Sequence, residues 1–168
     1  MPPDVKLKFI YPNSPALILY NDTSTPAQNA LYSFGLWNLD SPPDQMTNPL
    51  PVPSAKADYV RSHEAVGPQN IFDAPGVKSR LKAGDRIFGF VTVSCPDCKT
   101  RREYWLSIKW GDSGWFSELD ADKHVDMFSL SKEIPRISKS FDAFVSDIPL
   151  AERHPVLTVE EFKNANTH

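Results

Sequence analysis

The chain contains two cysteines, Cys95 and Cys98, which are separated by one proline and one aspartate. Thiols at this spacing can close a disulfide, supply two thiolates to a metal ion, or carry out thiol–disulfide exchange. Two reduced surface thiols without a role are the fourth alternative. We favour the disulfide, which would close a small loop, add little stability and indicate an oxidising compartment.

A zinc site is the main chemical alternative to the disulfide, because two thiolates are half of a tetrahedral ligand set. The other two ligands would come from the four histidines, of which His63 and His124 are the stronger candidates. The chain has neither a second Cys-x-x-Cys pair nor a His-x3–5-His pair. The zinc signal is therefore incomplete.

Redox chemistry would require the cysteine pair to follow a strand and begin a helix, since the helix dipole lowers the pKa of the first thiol. Here the pair is followed by a second β-favouring segment, residues 103–110, so we expect a hairpin tip instead. Lys99, Arg101 and Arg102 follow Cys98, would favour a thiolate, and form a small basic patch that is a candidate binding surface.

The elements that must position these residues are short β-favouring segments separated by turn residues. In the second arm of the cysteine hairpin, the period of two places Tyr104, Leu106 and Ile108 on one face, which we predict to be core, and Trp105 on the other. The predicted strands cover residues 6–11, 15–20, 31–39, 57–61, 86–93, 103–110 and 115–119.

Two further segments connect these strands. Residues 41–54 hold five prolines, so we predict an irregular extended crossing between two sheets. Residues 63–77 are predicted to be a loop, with a turn of helix at 69–72.

The spacing changes after Pro135. Apolar residues recur at helical spacing from Ile137 through Phe141 to Ile148, which predicts an amphipathic helix packed on the strands. For residues 154–168 we predict either a short turn of helix at 158–163 or a frayed end. We accordingly divide the chain into a β-sandwich domain, residues 1–130, and a C-terminal helical extension, residues 131–168.

Composition excludes several classes of function. The net charge of −3 and the pI near 5.8 argue against a nucleic-acid binder. No apolar run approaches the ~18 residues of a membrane span, so we expect no direct membrane insertion. The N-terminus lacks the apolar core of a signal peptide, although a chain cut just after a signal or anchor segment would begin in the same way.

Enzymatic motifs are weak. Ser129 and Lys132 match Ser-x-x-Lys, but the companion motifs are missing, and the chain has no phosphate loop, Gly-x-Ser-x-Gly or His-Glu-x-x-His. We therefore expect no catalytic residue and no cofactor, with zinc as the alternative.

Aromatic residues and one sequon remain as candidate sites for binding and modification. Trp105 and Trp115 would form a platform for a sugar or a peptide if they are exposed, although burial is the favoured interpretation. Asn21-Asp22-Thr23 matches the N-glycosylation pattern, which has meaning only in a eukaryotic secreted protein.

Residues 14–21 (Ser-Pro-Ala-Leu-Ile-Leu-Tyr-Asn) and 30–38 (Ala-Leu-Tyr-Ser-Phe-Gly-Leu-Trp-Asn) resemble the second and third strands of immunoglobulin-like or fibronectin-III-like domains of bacterial extracytoplasmic proteins. The resemblance implies an immunoglobulin-like antiparallel β-sandwich of about seven strands, to which we add the C-terminal amphipathic helix. Unlike antibody domains, this chain has neighbouring cysteines, which cannot bridge the two sheets.

Domains of this kind usually bind rather than catalyse. The sequence thus predicts a non-catalytic interaction module that binds protein or glycan through loops and an aromatic surface. We expect this module to be periplasmic or extracellular, either free or as part of a membrane-anchored protein. A small zinc or redox protein that uses the hairpin tip is the alternative. A homodimer through a sheet edge is also consistent with the pattern.

Overall fold

The computed structural model describes residues 1–10, 16–42, 48–112, 114–118 and 153–165, which are mainly β. They contain nine strands and two short helices. The strands are β1 (Val5–Ile10), β2 (Ala16–Asn21), β3 (Ala27–Asn38), β4 (Ala55–Val60), β5 (Ala65–Asn70), β6 (Arg86–Ser94), β7 (Arg102–Lys109), β8 (Gly114–Glu118) and β9 (His154–Pro155). The helices are α1 (Pro75–Lys78) and α2 (Val159–Ala165).

The strands form two antiparallel sheets. The small sheet has the order β1-β2-β5, and the large sheet has the order β4-β3-β6-β7-β8-β9. All pairs within the two sheets are antiparallel. The prediction of a mainly β, antiparallel protein is therefore confirmed.

The hairpin around the cysteines is also confirmed. Strands β6 and β7 pair in a regular register from Arg86 opposite Lys109 to Val93 opposite Arg102, which leaves residues 94–101 at the tip. Tyr104, Leu106 and Ile108 are all buried, as the period of two predicts.

The core lies between the two sheets. Its largest contributions are apolar side chains that alternate along β1, β2, β6 and β7, because every second residue of a strand points to the same face. An edge-to-face contact between Phe9 and Phe72, at 6.5 Å between ring centroids, extends the core beyond the strands. Residues that represent it are Leu7, Phe9, Leu17, Leu19, Tyr32, Leu36, Phe72, Ile87, Val91, Leu106 and Ile108.

One position in the large sheet requires glycine. Gly89 lies opposite Leu36 on β3, and a Cβ atom at Gly89 would collide with the carbonyl oxygen of Gly35. The close approach of these two central strands thus depends on the missing side chain.

Two connections differ from the prediction. Residues 63–77 are not simply a loop, because they contain β5 and the start of α1. The turn of helix predicted at 69–72 is wrong, since residues 69 and 70 belong to β5. Gly67 and Pro68 made β5 hard to predict, because both disfavour a central strand, whereas β5 lies at a sheet edge. The proline-rich segment was predicted to connect one sheet to the other, but it does not. It joins β3 to β4 within the large sheet, and the Leu50 amide donates to the Leu36 carbonyl at 2.7 Å.

The C-terminal prediction is testable only in part. The amphipathic helix expected from Ile137 to Ile148 lies outside the described residues, whereas α2 confirms the short helix expected at 158–163. Strand β9 pairs with β8 of the large sheet, and Leu157 bridges Ile10 of the small sheet, so residues 153–157 contact both sheets. Within the described part of the chain, no helix is long and apolar enough to cross a membrane.

Candidate functional site

Cys95 and Cys98 are joined by a disulfide at the tip of the β6–β7 hairpin, with 5.0 Å between their Cα atoms. The Cys98 amide donates to the Cys95 carbonyl at 3.1 Å, which closes the same turn through the backbone. Cys95 belongs to the hydrophobic core, and Cys98 is half-buried beside it. The predicted disulfide is confirmed.

Of the histidines that the structure describes, none joins this pair in a metal-binding group. His63 is exposed in the turn between β4 and β5, and His124 lies outside the described residues. Among the residues that are described, no group of three or more His, Cys, Asp or Glu side chains is placed to hold a metal ion. The zinc and redox alternatives stay predictions, and the thiolates that both need are consumed while the disulfide is formed.

The basic patch divides into two parts. Lys99 and Arg101 are exposed, whereas the Arg102 side chain is 18% exposed and held between two carboxylates. Its Nε lies 2.7 Å from Oδ1 of Asp4, and it also pairs with Glu118. The hydrogen bond to Asp4 raises the pKa of the Arg102 guanidinium. Arg102 therefore ties the start of β1 to β7 and β8, which leaves Lys99 and Arg101 as the accessible charges.

The aromatic platform that an exposed Trp105 would form is not on the surface. Trp105 is 1% exposed and packs between Phe88 and Phe90, each at 5.3 Å between ring centroids. Trp115 is half-buried, and the Arg153 guanidinium lies 5.4 Å from its ring centroid. Trp105 is therefore buried, as the favoured interpretation of the sequence predicts.

The Asn21 sequon has a structural role. Asn21 is 1% exposed, and its side-chain nitrogen donates to the Thr25 carbonyl at 2.7 Å and to the Val60 carbonyl at 3.3 Å. Its side-chain oxygen accepts from the Thr23 amide at 3.0 Å and from the Thr23 hydroxyl at 2.6 Å. With both amide hydrogens engaged, Asn21 is not accessible to a glycosyltransferase in the folded protein.

Asn21 also joins two turns through its backbone. Its amide donates to the Glu64 carbonyl at 3.0 Å, and the Ser62 hydroxyl donates to the Thr23 carbonyl at 2.6 Å. His63, between them, has a φ of 59°, a left-handed conformation that closes this turn. The turn after β2 and the turn after β4 are thereby held side by side.

An open pocket of about 220 Å³ lies beside these turns, at the surface of the small sheet. Side chains of both charges and apolar side chains meet in it. The pocket is lined by Lys8, Ile18, Tyr20, Asn21, Asp22, His63, Glu64 and Ala65.

The charges of this pocket are organised by contacts across β1 and β2. Lys6 donates to Asp22 at 2.9 Å, which raises the pKa of Lys6 and lowers the pKa of Asp22. The Lys8 ammonium lies 5.0 Å from the centroid of the Tyr20 ring. Burial raises the pKa of Tyr20, so its phenol is neutral at pH 7. The pocket thus offers a cation, carboxylates and a neutral phenol to one ligand.

Sequence reasoning missed this pocket because its residues come from three separate segments: β1, the end of β2 and the turn before β5. Lys8, Tyr20 and His63 match no motif together. The only local signal was the Asn21-Asp22 turn, which marked the end of a strand but no ligand.

Comparison with known proteins adds no relative. No family model, no curated protein and no solved structure matches this chain.

Proposed function

We propose that this protein is a non-catalytic interaction module that binds a protein segment of mixed charge in the pocket on the small sheet. The observation that carries the proposal is the pocket itself, in which Lys8 and His63 line the same opening as Asp22 and Glu64; Ile18, which is buried, also lines it. A short peptide that carries one acidic and one basic side chain would complement these groups.

Protein is favoured over glycan by the condition of the aromatic rings. Sugar recognition commonly uses an open aromatic face. Trp37 and Trp105 are buried, the Arg153 guanidinium lies over the Trp115 ring, and Lys8 lies over Tyr20. Tyr20, the aromatic ring that lines the pocket, is therefore covered by a cation and does not offer an open face to a sugar.

Strand order supports an immunoglobulin-like sandwich for this module. In antibody constant domains the first, second and fifth strands share one sheet, and the third, sixth and seventh share the other. Here β1-β2-β5 and β3-β6-β7 follow that division, while β4 lies beside β3 instead of β5.

This order has a functional consequence, because it collects alternate turns at one end of the sandwich. The turns after β2, β4 and β6 all lie at the end where Ala27 pairs with Val60 and Leu31 pairs with Ser94. The pocket and the disulfide-closed tip therefore share the end at which sandwich domains commonly present binding loops.

The disulfide supports a location outside the cytoplasm. Disulfides persist in oxidising compartments and are rare where glutathione and thioredoxin keep thiols reduced. We accordingly propose a periplasmic or extracellular module.

The proposal is tested by selecting phage-displayed random peptides on the immobilised protein and measuring their binding to two variants. Lys8→Glu reverses the charge inside the pocket, and Lys99→Glu makes the same change at the exposed hairpin tip. We expect enriched peptides with both acidic and basic residues, and at least tenfold weaker binding to the Lys8→Glu variant only.

Two results would contradict the proposal. Peptides that bind the wild type and Lys8→Glu equally would place recognition elsewhere. A glycan array signal that is lost in Lys8→Glu, without any enriched peptide, would make the ligand a glycan.

A further inference from the structure

We propose that β4 is a self-association edge, through which two copies of this chain pair antiparallel to form a symmetric dimer. Strand β4 belongs to the large sheet, whereas the pocket lies on the small sheet. The exposed edge of β4 and the order of its charges both favour a second copy of this chain as the partner.

Within the described parts of the chain, no strand pairs with the outer edge of β4. Among the described residues it pairs only with β3, and it ends the order of the large sheet. The Asp58 side chain is 92% exposed and the Lys56 side chain 54%, and Tyr59 is one of the few exposed large apolar residues at 47%. An unpaired strand edge of this kind is a template for another strand.

Other edges are less suited to pairing. Strand β5, at one edge of the small sheet, contains Pro68, which has no amide hydrogen to donate. Strand β1, at the other edge, is bridged by Leu157, whose amide donates to Phe9 at 3.3 Å. Strand β9, at the far edge of the large sheet, has only two residues.

The sequence of β4 is self-complementary in charge. In an antiparallel pair centred on Ala57, Lys56 of each copy lies opposite Asp58 of the other, on the same face, and Tyr59 lies opposite Ala55. Two opposite-charge cross-strand pairs would form, each of which stabilises an antiparallel pairing. Within one chain the same two side chains are in only loose contact, at 3.8 Å. Charged side chains on an edge strand usually discourage pairing with another strand. On β4, however, Lys56 and Asp58 are placed so that each lies opposite the opposite charge of a second copy.

The test is a charge exchange, read by sedimentation equilibrium of the full chain up to ~1 mM protein. Lys56→Asp and Asp58→Lys each replace both attractive pairs with like-charge pairs, so each should raise the dimer dissociation constant about tenfold or more. The double variant Lys56→Asp/Asp58→Lys restores both pairs, and we expect its dissociation constant to return to within about threefold of wild type.

Asp112→Lys is the matched control, because Asp112 is an exposed carboxylate that contacts Lys109 at 3.7 Å away from β4. It makes the same charge change as Asp58→Lys and should leave the dimer unchanged. A wild type that is monomeric throughout the range would overturn the proposal, and so would a dimer whose double variant is as weak as the single ones. The three substituted positions, Lys56, Asp58 and Asp112, are exposed, so loss of folding is not expected, and circular dichroism would verify this.

Discussion

The hairpin tip at Cys95 and the turn that begins at Asn21 lie at the same end of the sandwich, but they are held by different kinds of contact. The tip is closed by bonds between residues three apart: the disulfide and the Cys98 amide to the Cys95 carbonyl. Asn21 instead bonds to Val60, 39 residues away, and to Glu64. A residue with distinctive chemistry can thus have a local role, while an ordinary asparagine joins distant parts of the chain.

The largest effect in this comparison should come from Asn21→Ala. The substitution leaves the Val60 and Thr25 carbonyls and the Thr23 amide without their side-chain partner, in a site that is 1% exposed. Because an unsatisfied buried polar group costs about 1–3 kcal/mol, we expect a loss of about 3 kcal/mol in the free energy of unfolding, measured by urea denaturation.

Asn70→Ala is the control for this change, because Asn70 is exposed on β5. It should alter the free energy of unfolding by no more than about 0.5 kcal/mol. Equal effects of the two substitutions would show that Asn21 does not join the turns.

A smaller effect is expected from breaking the disulfide. The bridge closes a very short loop, and the Cys98 amide bond to Cys95 maintains the turn without it. We expect reduction by dithiothreitol to lower the free energy of unfolding by no more than about 2 kcal/mol.

The double variant Cys95→Ala/Cys98→Ala controls for other effects of the reductant and should show no further change when dithiothreitol is added. Complete unfolding of the wild type on reduction would mean that the disulfide stabilises the whole fold and not only the turn at the tip.

The smallest effect concerns pH and the Lys6–Asp22 pair beside the Asn21 turn. The hydrogen bond from Lys6 lowers the pKa of Asp22, so the folded state binds the proton less tightly than the unfolded state. The resulting stability is present above the unfolded pKa of about 3.9 and is lost as pH falls through the lower, folded value. Since the Asp22 side chain is 47% exposed, we expect less than about 1 kcal/mol.

The measurement is the difference in unfolding free energy between wild type and Asp22→Asn at pH 7, 5 and 3. The difference should shrink toward zero at the lowest pH. Asp112→Asn, at a looser surface pair, is the control and should show a smaller difference at pH 7. A difference that grows on acidification would contradict the assigned sign.

Much of the fold could be predicted from the sequence because strand alternation is a local property. Alternation in β7 predicted the buried face of Tyr104, Leu106 and Ile108, and the cysteine spacing predicted the disulfide. Strand β5 was missed because Gly67 and Pro68 argue against a strand unless its position at an edge is known.

The candidate site was harder to predict than the fold. A sequence motif implies that neighbouring residues act together, whereas the pocket combines Lys8, Tyr20 and His63 from three segments. For Trp105, by contrast, burial was the favoured prediction, and the structure has this side chain 1% exposed.

By itself, then, the sequence determined the strands with clear alternation and the hairpin, and it favoured the disulfide over the other roles of the cysteine pair, since each depends on interactions between residues close in the chain. Only the tertiary structure decided that Asn21 is buried and that the pocket forms, because both depend on the pairing of β1, β2 and β5. It also decided that, among the described residues, no strand pairs with the outer edge of β4. Burial, charge pairing and edge exposure depend on which strands become neighbours, which local sequence does not specify.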